Sequence, residues 1–190
     1  MLKYLSTFFI SLFAVSTIVV VAYLLGVTSF SFAWVLNFML MMAVSSIMQT
    51  LKPKLTAKYF ECKQWEADGK VYRWLGVHIF RKLLVWIGWE KLHKAANPVK
   101  KDLGALKQLE YNTRQSDFGH LVIFFIVLAV TFFVAYQYGL QQSLWLVFLN
   151  VVLNIYPIMV QRYNRPRLQR AIQIYSNLPF VPFRAELNHQ

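Results

Sequence analysis

Cysteine and acidic residues are scarce in this chain of 190 residues. Cys62 is the single cysteine, so one chain can form neither an internal disulfide nor a thiolate metal site. Eight Asp and Glu stand against 20 Lys and Arg, for a net charge of +12. In a soluble protein this imbalance favours nucleic-acid binding. Here 57% of the residues are hydrophobic, so we predict membrane lipids as partners, no nucleic acid, and a basic surface facing anionic headgroups or a phosphorylated ligand.

Charged side chains are missing from four apolar stretches, 4–25, 30–48, 119–138 and 143–160. Each is close to the roughly 20 helical residues that cross a hydrocarbon core about 30 Å thick. The first is long for the core of a signal peptide, and no clear cleavage site follows it, so we expect it to be retained. The sequence therefore predicts an all-α membrane protein with four transmembrane helices and a single domain, 1–190.

The connectors predict the orientation of these helices. Residues 26–29 and 139–142 are short and uncharged, whereas Lys3, the segment 49–118 and the tail 161–190 contain all 20 basic residues. Basic loops stay on the cytoplasmic side. We therefore predict an integral protein of the cytoplasmic membrane with both termini in the cytoplasm.

The cytoplasmic segment 49–118 is too rich in aromatic residues to be disordered. After a turn at 66–69, apolar residues recur at helical spacing, namely Tyr72, Leu75, Ile79, Leu83, Trp86 and Ile87. This pattern predicts one amphipathic helix in the membrane interface, with basic side chains reaching the headgroups. Asn97-Pro98 is expected to end it, and Lys100–Arg114 forms a polar stretch before the third span.

Arg114, Asp117 and His120 are spaced three residues apart where the third span begins. On a helix they share one face, and a carboxylate beside an imidazole is suited to general-base catalysis on an alcohol. The alternative is a helix start in which Asp117 complements the helix dipole and His120 is an interfacial residue. Spacing alone leaves both interpretations open.

Four arginines follow the fourth span closely, at positions 162, 165, 167 and 170. Guanidinium groups match phosphate and carboxylate geometry, so this run is suited to a phosphorylated donor. The alternative is a basic flank that holds anionic lipid. His78, His93 and His189 lack metal-ligand spacing, and we predict no metal.

The run Asn154–Leu168 resembles the C-terminal signature of the glycosyl-4,4'-diaponeurosporenoate acyltransferase family. The blocks Trp65–Lys70 and Thr113–His120 are similar to two further family blocks, an aromatic-Glu-x-x-Gly block and a Thr-basic-x-Ala-Glu-x-x-His block. The resemblance covers roughly residues 58–170. Asp117 stands where the family has Glu, and Phe80-Arg81 where it has Trp-Lys.

This resemblance implies a small membrane enzyme that attaches a fatty acyl group to the sugar hydroxyl of a glycosylated carotenoid. Carried over, His120 and Asp117 are candidate catalytic residues. The candidate substrate-binding or donor-binding residues are Arg114, Arg162, Asn164, Arg165, Tyr163 and Glu66. The acyl donor would be acyl-CoA or an acyl-carrier protein, and no cofactor is expected.

Two further functions remain open from the sequence. A non-catalytic lipid-binding or scaffolding subunit of a biosynthetic complex would have the same charge pattern. A transporter is less favoured, because no charged residue lies within a span to couple ion movement.

Overall fold

Helices make up most of the structure. The computed structural model describes residues 2–88 and 102–176, and within these ranges no β-strand occurs, which confirms the predicted all-α class. The predictions for His93, Asn97-Pro98 and His189 lie outside the described residues, as does 177–190 of the predicted tail.

Seven α-helices occur within the described ranges: α1 Leu2–Leu25, α2 Phe30–Leu51, α3 Lys70–Trp74, α4 Val77–Trp86, α5 Leu103–Tyr138, α6 Leu144–Asn150 and α7 Tyr156–Tyr175. A 3₁₀ turn, Leu140–Ser143, precedes α6, and a π-helical turn, Val151–Ile155, joins α6 to α7. Four helical runs are long and apolar enough to cross a membrane: α1, α2, α5 and Leu140–Tyr175. Each predicted span lies within one of these runs, so the prediction of four spans is confirmed at this level.

The two N-terminal helices, α1 and α2, form an apolar hairpin that also contains contacts between hydroxyl side chains. The Ser29 side chain accepts a hydrogen bond from the Phe32 amide and so caps the start of α2. Thr7 Oγ1 lies 2.7 Å from Thr50 Oγ1 and 3.2 Å from Ser46 Oγ. Such hydroxyl contacts join helices where lipid supplies no hydrophobic drive for association.

Helix α5 begins far earlier than the predicted span at 119. Asp102 caps it, because its Oδ2 accepts a hydrogen bond from the Ala105 amide at 3.2 Å. The polar stretch after Asp102 is rich in Leu, Ala, Gln and Glu, which are strong helix formers. The lead-in to the third span is therefore helical.

The predicted amphipathic helix is divided into two short helices, α3 and α4. Gly76 separates them with a φ of 79°, a left-handed conformation that glycine adopts readily. Tyr72 is buried, whereas Leu75, Ile79, Leu83, Trp86 and Ile87 are exposed. The prediction of one continuous helix is wrong for this reason, and Tyr72 does not belong to the exposed apolar face.

The chain divides into two compact units. Met1–Lys54 and Ser116–Ile158 form the first, and Leu55–Gln115 and Met159–Gln190 form the second. The core of the first unit includes Leu36, Ile123, Val127, Leu146 and Leu149, whereas that of the second contains Tyr72, Val77 and Tyr163. These contacts do not test independent folding, so the single domain stays a prediction.

Candidate functional site

A chain of hydrogen-bonded, buried amide side chains ends at His120 in the first unit. Asn154 Oδ1 lies 3.3 Å from His120 Nδ1. Asn154 Nδ2 donates hydrogen bonds to Asn37 Oδ1 at 2.8 Å and to Asn150 Oδ1 at 2.9 Å. The site around His120 therefore includes polar residues from α2, α6 and the π-helical turn.

The outer hydrogen bonds of this chain fix the orientation of the Asn154 amide. Asn37 Nδ2 donates to the Ala33 carbonyl, and Asn150 Nδ2 donates to the Phe124 carbonyl. Both asparagines therefore present their Oδ1 atoms to Asn154 Nδ2, which leaves Asn154 Oδ1 toward His120. Because this oxygen only accepts hydrogen bonds, a hydrogen bond at this contact requires a proton on His120 Nδ1.

Asp117 lies one helical turn before His120 and is fully buried. Its charge acts on the imidazole, as does the Leu153 carbonyl, a further acceptor beside the ring. The sequence predicted that Asp117 orients His120, but the hydrogen-bond partner observed at Nδ1 is the Asn154 oxygen. Asp117 is thus placed to stabilise a positive charge on the ring, and its catalytic role stays a prediction.

The sequence analysis missed Asn37 and Asn150, and it gave Asn154 no chemical role. All three amides are nearly inaccessible to solvent. Asn154 lies in the π-helical turn, where the Tyr156 amide donates to the Val151 carbonyl and Pro157, which has no N–H, follows. Isolated asparagines within apolar spans were the available signal, because such residues need polar partners in a membrane.

In the second unit, Glu66 and Arg162 form a buried ion pair. Arg162 Nη1 lies 2.6 Å from Glu66 Oε1, and Arg162 Nη2 donates to the Tyr59 carbonyl at 2.8 Å. Glu66 also accepts from the Tyr72 hydroxyl at 2.5 Å and from the Lys63 amide at 2.8 Å. The predicted binding residues Glu66 and Arg162 thus come together, and each is engaged by the other.

This ion pair affects the protonation of two neighbours. Burial, the hydrogen bond to Glu66 and its charge all raise the pKa of Tyr72 above its ordinary value, so its hydroxyl stays protonated. Burial and then the charge of Glu66 raise the pKa of the Cys62 thiol to about 11. Cys62 is therefore a thiol at neutral pH and a poor nucleophile.

Arg114 and Arg165 also have contacts within the second unit. Arg114 pairs with Glu110 at 2.7 Å, and its Nη1 donates to the Leu55 carbonyl at 2.9 Å. Arg165 is 1% exposed, and its Nη1 lies 3.4 Å from the Phe60 carbonyl. Arg114 and Arg165, which were predicted to bind the acyl donor, thus contact backbone carbonyls of the 55–60 segment. Their binding of the acyl donor stays a prediction.

Tyr163 is buried against the Gly69 backbone. A Cβ at Gly69 would lie 2.7 Å from Tyr163 Cε2, and Gly69 has a φ of +64°. Two residues of the 65–70 block therefore contact two adjacent residues of α7: Glu66 contacts Arg162, and Gly69 contacts Tyr163. Asn164 is partly exposed and, among the described residues, has no hydrogen-bond partner.

The two compact units contain different parts of the predicted site. Asp117 and His120 belong to the first, whereas Glu66, Arg114, Arg162, Tyr163, Asn164 and Arg165 belong to the second. Within 2–88 and 102–176, no three His, Cys, Asp or Glu side chains are grouped so that they could hold a metal ion.

Comparison with known proteins bears on this arrangement. Neither the search of curated proteins nor that of solved structures found a match. A family model described as glycosyl-4,4'-diaponeurosporenoate acyltransferase matches residues 56–174. This range includes His120, Asn154, the Glu66–Arg162 pair and the Gly69–Tyr163 contact. Because the match covers more than half of the chain, the protein belongs to the glycosyl-4,4'-diaponeurosporenoate acyltransferase family.

Proposed function

We propose that this protein transfers a fatty acyl group from a thioester donor to a sugar hydroxyl of a glycosylated lipid, such as a glycosyl carotenoid. The donor is acyl-CoA or an acyl-carrier protein. The observation that carries the proposal is the contact between His120 and Asn154 in a member of a family named for this acyl transfer.

The hydrogen bond to Asn154 suits His120 to act as the general base. With the proton on Nδ1, the lone pair of Nε2 is available to accept the proton of the sugar hydroxyl. The hydroxyl oxygen attacks the thioester carbonyl carbon, an ester bond forms, and the carbon–sulfur bond breaks. The imidazolium then returns the proton to the leaving thiolate, so the products are an ester and a free thiol.

Stabilisation of the imidazolium is the part of this mechanism that Asp117 supplies. Asp117 is buried in the same unit as His120, and its negative charge is adjacent along the helix. Asn154 Oδ1 accepts from Nδ1–H whether the ring is neutral or charged. Charge stabilisation therefore comes from Asp117, whereas tautomer and ring orientation come from Asn154.

The remaining candidate binding residues are proposed to hold the donor and the sugar. Asn164 is partly exposed and has both donor and acceptor atoms for a sugar or an amide. Arg114, Arg162, Arg165, Tyr163 and Glu66 are proposed to shape the donor site. Arg114 and Arg162 already pair with carboxylates, so a bound phosphate would compete with Glu110 or Glu66.

The test is acyl transfer by the purified full-length protein with a glycosyl carotenoid and a labelled acyl thioester. His120→Ala is expected to lower kcat about 10²–10⁴-fold, the usual contribution of a general base. Asn154→Ala is expected to lower kcat less, because it loosens the ring without removing it. Gln137→Ala, an exposed amide on the same helix, should retain the wild-type rate.

Two outcomes would count against the proposal. Equal rates for His120→Ala and the wild-type protein would exclude His120 as the base. No transfer by the wild-type protein, together with unchanged glycolipids by mass spectrometry in cells that lack it, would favour the non-catalytic scaffold.

A further inference from the structure

Three basic side chains surround Tyr163 in the second unit, and we name this group the Tyr163 cation cluster: His78, Arg81 and Arg167 with Tyr163 at its centre. Arg167 Nη2 donates to the Tyr163 hydroxyl at 2.6 Å, and its guanidinium carbon lies 4.1 Å from the ring centroid. The guanidinium carbon of Arg81 lies 5.7 Å from the same centroid. His78 Nε2 lies 3.5 Å from the Tyr163 hydroxyl oxygen.

Within the described parts of the chain, no acid forms an ion pair with the two arginines of this cluster. Arg114 and Arg162 pair with Glu110 and Glu66. By contrast, neither Arg81 nor Arg167 forms an ion pair with any carboxylate in the described ranges 2–88 and 102–176. Two guanidinium groups held at one ring repel each other. An anion that contacts both groups would offset this repulsion.

The cluster is also held in place before any ligand binds. Tyr163 is 3% exposed, and it packs against the Gly69 backbone and against Val77. Arg167 is fixed by stacking on the ring and by its hydrogen bond to the hydroxyl. Side chains that are already ordered lose less conformational entropy on binding.

The polar atoms of the cluster fit one ligand chemistry. Arg81 and Arg167 offer planar N–H donors, the arrangement that suits phosphate oxygens. The Tyr163 oxygen accepts from Arg167, so its own proton remains available for a ligand oxygen or for His78. His78 adds a further donor when it is protonated.

We propose that the Tyr163 cation cluster is a binding site for a phosphate group. The phosphate belongs either to a soluble thioester donor of the coenzyme A type or to a lipid headgroup. Assignment to the donor rests on the proposed acyl transfer, whereas phosphate binding itself does not. The ion-paired Arg114 and Arg162 then hold the second unit together, and Arg81 and Arg167 contact the ligand.

The experiment measures binding of two probes to the purified full-length protein in a zwitterionic detergent. The probes are coenzyme A and a short-chain phosphatidic acid. Arg81→Gln and Arg167→Gln are each expected to weaken binding about tenfold or more, since a charge-assisted hydrogen bond is lost. Lys82→Gln on α4 removes the same charge from an exposed position and should change binding less than about twofold.

The pattern of binding decides the source of the phosphate. Arginine-dependent binding of coenzyme A alone supports the soluble donor, and that of phosphatidic acid alone supports the lipid headgroup. Binding losses no larger than the loss caused by Lys82→Gln would overturn the proposal. Gel filtration of each variant excludes unfolding, and Tyr163→Phe, which removes only the hydroxyl, is expected to weaken binding without loss of the fold.

One further variant separates this site from the proposed catalysis. His120→Gln is expected to bind the phosphate probe as the wild-type protein does while losing acyl transfer. If the wild-type protein transfers acyl groups but probe binding does not depend on Arg81 and Arg167, the phosphate site is rejected and the proposed acyltransferase function stands. If probe binding depends on Arg81 and Arg167 but the wild-type protein transfers no acyl group, the phosphate site stands and the proposed acyltransferase function is rejected.

Discussion

At the scale of single residues, the pKa of the Cys62 thiol depends on the charge of Glu66. Its pKa of about 11 arises from burial and from the charge of Glu66, against an ordinary thiol value of about 8.5–9. Only the thiolate reacts with alkylating reagents. The single cysteine of the chain is therefore a direct probe of the second unit.

We expect the folded protein to react with iodoacetamide at pH 8 about 100-fold more slowly than the same protein unfolded in dodecyl sulfate. The raised pKa lowers the thiolate fraction, so the folded rate should keep rising about tenfold per pH unit up to pH 10. The unfolded rate should level off near pH 9. Mass spectrometry of the labelled protein measures both rates, and parallel pH profiles would contradict the raised pKa.

Single asparagines also mark the limit of what the sequence predicts. His120 was recognisable from its spacing to Asp117, because that spacing is local. Its partner Asn154 is 34 positions away, and Asn154 in turn contacts Asn37 at a separation of 117 positions. No periodic pattern within a helix predicts such a pairing.

At the scale of elements, the Glu66–Arg162 pair fastens the 58–66 segment to α7. Glu66 is the acceptor for three donors, and Arg162 also holds the Tyr59 carbonyl and lies 4.4 Å from the Tyr59 ring centroid. Removing one member of a buried pair leaves the other charge without compensation.

Glu66→Ala is therefore expected to lower the free energy of unfolding by about 3–5 kcal/mol, the usual effect of breaking a buried pair. The midpoint of thermal unfolding in detergent measures this loss. Glu61→Ala, an exposed acid in the same segment, should change the midpoint little. The double variant Glu66→Met with Arg162→Met should be less destabilised than the sum of its single variants; additive losses would show that the two residues are not coupled.

Element types were more predictable than element ends. The four apolar stretches predicted the spans because the length of an apolar run is a local property. The break between α3 and α4 was missed because the apolar residues keep helical spacing across Gly76. Tyr72 fitted the apolar face by spacing, but it packs with Val77 and Tyr163 and its hydroxyl donates to Glu66, so it is buried.

At the scale of the whole molecule, the distribution of charge predicts the sidedness of the protein. All basic residues lie outside the short connectors 26–29 and 139–142. The positive-inside rule therefore predicts that the basic segments and both termini lie on the cytoplasmic side. Helix length and hydropathy carry no information on sidedness, so only the charge pattern supports this prediction.

Single cysteines introduced into a Cys62→Ser background test this orientation with a membrane-impermeant maleimide. In spheroplasts, which lack the cell wall but keep an intact cytoplasmic membrane, Gln141→Cys is expected to react. Lys58→Cys and Ile174→Cys should react only after lysis. Labelling of Lys58→Cys and Ile174→Cys from opposite sides of the membrane would reject the predicted topology.

The contact between Gly69 and Tyr163 also has an evolutionary consequence. Any side chain at position 69 would collide with the aromatic ring, so a chain that retains the tyrosine is confined to glycine there. Glu66 and Arg162 join the same two segments through their ion pair. A substitution in one segment is therefore expected to be accompanied by a substitution in the other, so residues 65–70 and 162–163 should vary together among related proteins.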